Sequence, residues 1–171
     1  MNTLEDDLSA DGHIDDFLLN CGYSDDVKSS EDTETAEYVI VDDKNSFKDY
    51  VTLRTRRKHN DVILGDSGVV ITEKLSKDLG VKKGDKITVT SSAGKHAEAV
   101  VSGITEMYVN HYVYISTEYY NELFGNIPDH NRVLIKISGD VNETESYMGD
   151  EYLSRDYILS LIHISEPTRL Q

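Results

Sequence analysis

Residues 67–94, SGVVITEKLSKDLGVKKGDKITVTSSAG, constrain the fold most strongly, because nearly every position fits a recognisable element or turn. Val69–Ile71 predict a buried strand, and Thr72 stands where the N-cap of a following helix is expected. Leu75 and Leu79 are four residues apart, so they give that helix one apolar stripe. The stretch therefore begins with a strand and a short amphipathic helix.

The second half of this stretch predicts a helix end, a strand and a hairpin. Gly80 can take the left-handed conformation that ends a helix, and KKGD then turns the chain into the strand KITVT. Ile87 and Val89 alternate with polar residues in that strand. SSAGK predicts a hairpin turn, and HAEAVVSGITE predicts the returning strand.

The elements after this stretch continue the same mixture. MYVNHYVYIS has bulky side chains on both faces, which favours an inner strand. Ser116 or Thr117 is placed to cap the helix EYYNELF, Gly125 to stop it, and NRVLIKIS predicts a further strand. The fold class is therefore α+β, with a small mixed or antiparallel sheet and short helices. We expect one core, to which five side chains contribute: Leu75, Leu79, Ile87, Val113 and Phe124.

The N-terminal region differs in composition. Six residues recur at near-helical spacing and predict one broken or two short amphipathic helices: Leu4, Leu8, Ile14, Phe17, Leu18 and Cys21. The polar, acidic residues 22–36 predict a mobile linker. We therefore divide the chain into an acidic, partly helical segment at 1–36 and an α+β domain at 37–158. SFKDYVTLRTRRKHND fits either a short helix or a strand.

The last residues, LSLIHISEPTRLQ at 159–171, match a translated sequencing adapter without a mismatch from Leu159 to Arg169. We therefore exclude 159–171 from fold reasoning as an adapter-derived tail. The alternative interpretation is a short natural C-terminal strand, LSLIHI. The expectation is that the natural domain continues beyond residue 158, and that the chain is a fragment.

Charge limits the classes of partner. The chain carries 17 Lys and Arg against 32 Asp and Glu, a formal net charge of −15. Residues 1–66 hold 17 of the acidic residues and only 7 basic ones. Such a field repels phosphate backbones, so we expect no nucleic-acid partner. The basic cluster of Arg54, Arg56, Arg57 and Lys58 is too short to reverse this, and local ion pairing with the acidic segment explains it.

The sequence predicts no catalytic, cofactor-binding or metal-binding residue. It has no nucleophile-elbow, phosphate-loop or dinucleotide glycine pattern. Acidic pairs such as Asp15–Asp16 and Asp25–Asp26 lack the spacing of a calcium loop. Cys21 is the only cysteine, which excludes an intrachain disulfide. His111 lies on the predicted inner strand and is interpreted as a core or interface residue. The chain is therefore not expected to be an enzyme.

Five tyrosines lie close together and form the predicted interface: Tyr108, Tyr112, Tyr114, Tyr119 and Tyr120. Tyrosine combines a large apolar body with a polar tip and is enriched where proteins meet partners. Strand alternation places the first three opposite Val109, Val113 and Ile115. If the aliphatic face is core, then the helix at 118–124, the acidic N-terminal segment or a partner must cover the tyrosine face. A simpler interpretation, that several of the five are core, stays open.

Four segments in order carry a family resemblance: Gly68–Ser76, Gly84–Val89, Val101–Glu106 and His111–Gly125. Across residues 37–138 they resemble the extracytoplasmic domains of FtsX/MacB-like ABC transporter permeases, whose core fold is the MacB-like periplasmic type. The resemblance implies a non-catalytic domain outside the cell membrane that acts in substrate or partner interaction or in mechanotransmission. It implies two partners, the rest of the permease and a separate cytoplasmic ATPase subunit, and allows a homodimer.

A second resemblance concerns a shorter stretch. LGVKKGDKITV, residues 79–89, resembles the swapped-hairpin DNA-binding domains of AbrB and antitoxin type. The alternative function is therefore a DNA-binding regulator that uses the 79–89 hairpin. The absence of a long basic surface favours the permease domain over this alternative.

Overall fold

A computed structural model describes residues 4–12, 14–107, 110–137 and 158–163. The helices within these ranges are α1 (Leu4–Ala10), α2 (Lys44–Phe47), α3 (Glu73–Asp78) and α4 (Thr117–Phe124). The strands are β1 (Ile14–Lys28), β2 (Thr33–Val41), β3 (Val69–Thr72), β4 (Lys86–Thr90), β5 (His96–Thr105), β6 (Tyr112–Ser116), β7 (Arg132–Ile137) and β8 (Ile158–His163). The predicted α+β class, with short helices beside short strands, is confirmed.

The chain divides into two compact units, residues 21–130 and residues 1–20 together with 131–171. In the second of these, the first part of β1 pairs antiparallel with β7, so that Phe17 lies opposite Ile135. Strand β7 also pairs in parallel with β8. The position of β8 does not bear on the origin of residues 159–171, which stays a prediction.

The unit formed by residues 21–130 contains a mixed sheet. Its strand order is β2-β6-β3-β5-β4. The pairs β2–β6 and β3–β5 are parallel, whereas β3–β6 and β4–β5 are antiparallel. The second part of β1 pairs antiparallel with β2 from Cys21 to Lys28 and meets β4 where Lys28 lies opposite Thr88. Of the two predicted alternatives, mixed or antiparallel, the sheet is mixed.

One face of this sheet packs under helices α3 and α4. All five side chains that the sequence assigned to one core belong to a single buried cluster: Leu75, Leu79, Ile87, Val113 and Phe124. Burying a leucine side chain of this kind contributes about 1.5–3 kcal/mol. The cluster lies entirely within the 21–130 unit.

Residues 42–66 lie against other buried side chains of the same unit. Phe47, Tyr50 and Leu64 are buried in this segment. Gly103 of β5 has no side chain where Val62 approaches, and an added Cβ would lie 2.5 Å from Val62 Cγ1. The stretch that the sequence left open between helix and strand thus forms the short helix α2 and then an irregular segment.

The prediction for residues 14–36 is wrong. Instead of a second helix and a mobile linker, these residues form β1 and the start of β2. Their acidic side chains are mostly exposed or half-buried, while Val27, Ala36 and Tyr38 are buried. The Tyr38 hydroxyl donates to the Asp26 carbonyl at 2.9 Å and accepts from the Thr90 N–H at 3.1 Å. Strand pairing and these bonds satisfy the backbone N–H and C=O groups of a segment whose composition is typical of a linker.

The helix boundaries follow the sequence with one exception. Gly80 and Gly125 have φ of 67° and 73°, the left-handed conformation expected after a helix. The Ser116 hydroxyl accepts the Tyr119 N–H at 3.2 Å and caps α4. Thr72 stands at the N-cap of α3 without a side-chain cap. Its hydroxyl instead donates to the Asn110 carbonyl at 3.2 Å, so it joins β3 to the residues before β6.

Candidate interface

The predicted tyrosines separate into two groups. Tyr112 and Tyr114 lie on one face of β6, where their rings stack at a centroid distance of 5.8 Å. Tyr114 is buried and Tyr112 is half-buried. Tyr119 and Tyr120 of α4 belong to the buried core cluster. Tyr108 lies outside the described residues.

Strand β6 is an inner strand, as predicted. It pairs with β2 on one side and with β3 on the other, and Tyr114 lies opposite both Val39 and Val70. Val113 and Ile115 point to the opposite face and are buried in the core cluster. The predicted alternation of tyrosine and aliphatic faces is therefore confirmed for the part of this strand that the structure describes.

The tyrosine face is covered by α2, which is not among the three covers expected from the sequence. Phe47 of α2 packs against Tyr114 at a ring-centroid distance of 6.1 Å. Burial raises the pKa of the Tyr114 hydroxyl above its usual value, because the phenolate would lose its hydration. Helix α4, one of the predicted covers, instead packs with the aliphatic face. Of the four predicted interface tyrosines that the structure describes, Tyr112 is the one that is substantially exposed.

The α4 tyrosines are fixed within the unit by packing and by hydrogen bonds. Tyr120 is fully buried, stacks at a tilt on Phe124 at 4.8 Å, and accepts the Ser92 N–H at 3.2 Å. The Tyr119 hydroxyl accepts the Val100 N–H at 3.4 Å. These two side chains hold α4 on the sheet, so their rings are not accessible to a partner in this fold.

His111 forms a polar network beside Tyr112 that sequence reasoning did not identify. Its Nε2 lies 2.9 Å from Asp78 Oδ2 and 3.1 Å from Lys74 Nζ, both on α3. Its Nδ1 lies 3.1 Å from the Thr35 carbonyl of β2 and 3.7 Å from Glu34 Oε2. Hydrogen bonds from Lys74 and then His111 lower the pKa of the Asp78 carboxyl. His111 is therefore a half-buried connector between α3 and β2 and is not part of the core cluster, and its interface role stays a prediction.

The acidic pairs have structural partners. Asp43 caps α2 by accepting the Asn45 and Ser46 N–H groups at 2.9 and 3.1 Å, and hydrogen bonds, first from the Ser46 hydroxyl, lower its pKa. Asp42 accepts hydrogen bonds from Thr117 and His130. Within the described ranges no group of three or more His, Cys, Asp or Glu residues could hold a metal ion. Nor does any helix in that part of the chain have the length and apolar character needed to cross a membrane.

Comparisons with known proteins add a fold assignment. No family model matches the sequence, and no curated protein matches it significantly. Among solved structures, the extracellular domain of the noncanonic ABC-type transporter YknZ from Gram-positive bacteria matches with a TM-score of 0.53 and 14% sequence identity. The match covers 85% of this chain and 77% of that one. The periplasmic region of MacB from Actinobacillus actinomycetemcomitans matches at 16% identity and a TM-score of 0.46, over 84% and 67% of the two chains. The chain thus has the fold of an ABC-type transporter extracellular domain.

Proposed function

We propose that the chain is a non-catalytic, extracytoplasmic domain of an ABC transporter permease of the FtsX/MacB-like kind. The observation that carries this proposal is the fold likeness to the YknZ extracellular domain over most of both chains. The order of motifs across residues 37–138 supports the same class independently of the fold likeness. The domain works through contact with other polypeptides, and its place is the outer side of the cell membrane.

The partners that follow from this proposal are the rest of the permease and a separate cytoplasmic ATPase subunit, which acts through the membrane part. A second copy of the domain is a further partner. Tyr112 is the contact residue we propose, because its ring stacks on Tyr114 and is partly exposed. Aromatic side chains of this kind contribute strongly to interfaces at low entropic cost.

The test of the class is the complete reading frame in its genome. Transmembrane segments on both sides of the domain and an adjacent gene for an ATPase are the expected result. A complete reading frame that encodes only a soluble protein would contradict the proposal.

The test of Tyr112 is site-specific photocrosslinking in the full-length protein. A photoreactive phenylalanine at position 112 is expected to crosslink to another chain or to another part of the permease. The same replacement at Lys83, an exposed residue of the α3–β4 turn, serves as the control. Crosslinking no stronger at 112 than at 83 would remove Tyr112 from the interface while leaving the class untouched.

The DNA-binding alternative has less support. Ile87 and Val89 are buried in the core cluster, and β4 pairs with β5 along its whole length. Residues 79–89 are thus engaged within the unit rather than presented as a separate hairpin. Salt-sensitive binding of duplex DNA at micromolar or lower concentration, measured by fluorescence anisotropy, would favour this alternative over the permease domain.

A further inference from the structure

Residues 53–62 form a cationic hairpin, called here the basic hairpin. Arg54 and Asp61 form an antiparallel bridge, and the Val62 N–H donates to the Leu53 carbonyl at 2.8 Å. The tip between them carries Arg56, Arg57 and Lys58 in succession, all exposed. Among the described residues, Arg57 and Lys58 have no ion-pair partner. Their charges are therefore available to a binding partner.

The basic hairpin is anchored to the end of β5. The Arg54 N–H donates to Thr105 Oγ1 at 3.0 Å, and the Glu106 N–H donates to the Arg54 carbonyl at 2.8 Å. The Arg54 side chain pairs with Glu106, directly after β5, and not with the acidic segment that the sequence suggested as its partner. Val62 fits against the bare Cα of Gly103. A hairpin held in this way loses little further entropy when its tip binds a partner.

An apolar groove runs beside the basic hairpin. Its volume is about 380 Å³, and its lining includes Phe47 and Lys48 from the α2 region and Leu53, Val62 and Ile63 from the hairpin and its continuation. Ile63 is 71% exposed. Two large apolar side chains are exposed in the described part of the chain, and Ile63 is the more exposed of the two. The groove therefore offers apolar surface next to the basic hairpin.

The tip of the basic hairpin is a small cationic site in an acidic molecule. Residues 55–60 hold Arg56, Arg57 and Lys58 and no Asp or Glu, whereas the whole chain carries 17 Lys and Arg against 32 Asp and Glu. Exposed charges further apart than about 8 Å are largely screened at physiological ionic strength. A ligand at the hairpin tip thus experiences mainly the local positive potential.

We propose that the basic hairpin and the adjoining groove bind an acidic polypeptide segment that also carries apolar side chains. Its carboxylates pair with Arg57 and Lys58, and its apolar side chains fill the groove beside Ile63. The groove is concave, so it fits a peptide better than a flat bilayer. This site is distinct from Tyr112 and does not depend on the permease assignment.

Fluorescence anisotropy with the full chain and labelled synthetic peptides tests the proposal. The main probe is a peptide of alternating Glu and Leu, and the comparison probe has the same number of Glu residues with Ser in place of Leu. We expect the Glu-Leu peptide to bind more tightly, and its affinity to fall as salt is raised. The double reversal Arg57→Glu, Lys58→Glu should weaken binding by about tenfold or more, since two attractive contacts become repulsive.

Two further variants separate this site from general electrostatics. Lys82→Glu, Lys83→Glu makes the same charge change at exposed positions outside the site and should alter the affinity less than about twofold, within the range expected of a distant charge. Ile63→Ser should weaken binding of the Glu-Leu peptide and leave the affinity for the Glu-Ser peptide unchanged. Equal losses from both double reversals would overturn the proposal.

The same variants also test two other possible ligands of this surface, an anionic lipid bilayer and a second copy of the chain. Binding to phosphatidylglycerol vesicles but not to the Glu-Leu peptide would assign the surface to lipid and overturn the proposal. Concentration-dependent dimerisation that Arg57→Glu, Lys58→Glu abolishes, without peptide binding, would assign it to a second copy and also overturn it. Circular dichroism of each variant confirms that a lost signal does not reflect unfolding.

Discussion

Gly68 is the residue that lets β3 enter the sheet at close range. A Cβ at this position would lie 2.7 Å from Ser102 Cβ and 2.8 Å from the Val100 carbonyl oxygen. A backbone oxygen in β5 cannot move away as the end of a flexible side chain can. Any larger residue at 68 must therefore displace the parallel β3–β5 pair.

Gly68→Ala should destabilise the protein by about 1–3 kcal/mol, the usual cost of forcing extra volume into a packed site. Gly65→Ala is the matched control, because a Cβ there meets nothing within 4 Å. Its effect should stay within about 0.5 kcal/mol. Urea unfolding of both variants measures the difference, and equal effects would show that the sheet yields at position 68 without cost.

Asp78 provides a pH-dependent prediction at the same scale. Lys74 Nζ lies 2.5 Å and His111 Nε2 2.9 Å from its carboxylate, so its folded-state pKa is lowered below 3.8. A carboxyl whose pKa is lowered by folding stabilises the fold fully above its unfolded pKa, and loses that contribution as pH falls through the folded pKa.

Asp78→Asn should therefore lower the free energy of unfolding at neutral pH, and the difference from the unmodified protein should shrink as pH falls below 3.8. Urea unfolding across a pH series measures this difference. A difference that stayed constant from neutral to acid pH would mean that the charge of Asp78 does not contribute.

At the scale of the element, β1 and the first part of β2 are the strands that the sequence pattern did not predict. Phe17, Leu18 and Cys21 are spaced as on a helix face, yet both faces of a strand can hold the same residues. The acidic residues of 22–36 lie at half-buried positions of two paired strands and at exposed positions of the turn between them. Pairing between residues distant in sequence satisfies the backbone hydrogen bonds of this segment, and composition alone does not predict which residues pair.

The elements from β3 to α4 were predictable because local signals agree there. Alternating residues, left-handed glycines and the Ser116 cap all specify the same boundaries. The tyrosine face of β6 could be predicted from alternation alone. The contact of Phe47 with this face could not, because it is a long-range contact from a segment whose pattern fitted helix and strand equally. The basic hairpin was visible as a charge cluster, but its anchoring on β5 was not.

Helix α3 is held on the sheet mainly by Leu75 and Leu79, which are both buried in the core cluster. Leu79→Ala should cost about 2–5 kcal/mol, since it removes apolar contacts and leaves a cavity. Ile127→Ala is the control, because Ile127 is 54% exposed, and it should change stability by less than about 0.5 kcal/mol. Similar urea midpoints for the two variants would place Leu79 outside the core.

At the scale of the whole molecule, charge and core are distributed differently along the chain. The buried cluster runs from Cys21 to Phe124 and lies within the 21–130 unit. The same unit contains the basic hairpin, whose tip is cationic. The candidate contact residue Tyr112 and the basic hairpin are thus both carried by the unit that has the main core.

A fragment of residues 21–130 should therefore fold without the rest of the chain. It keeps the whole core cluster, the Cys21–Lys28 pairing of β1 with β2, and the hydrogen bonds that join Tyr38 to β1 and β4. We expect a single cooperative urea transition, because small domains with one continuous core unfold in a two-state manner. Leu79→Ala should lower the midpoint of the fragment as it does in the full chain. A broad transition without cooperativity, or strong binding of a hydrophobic dye by the fragment, would show that residues outside 21–130 are needed to complete the core.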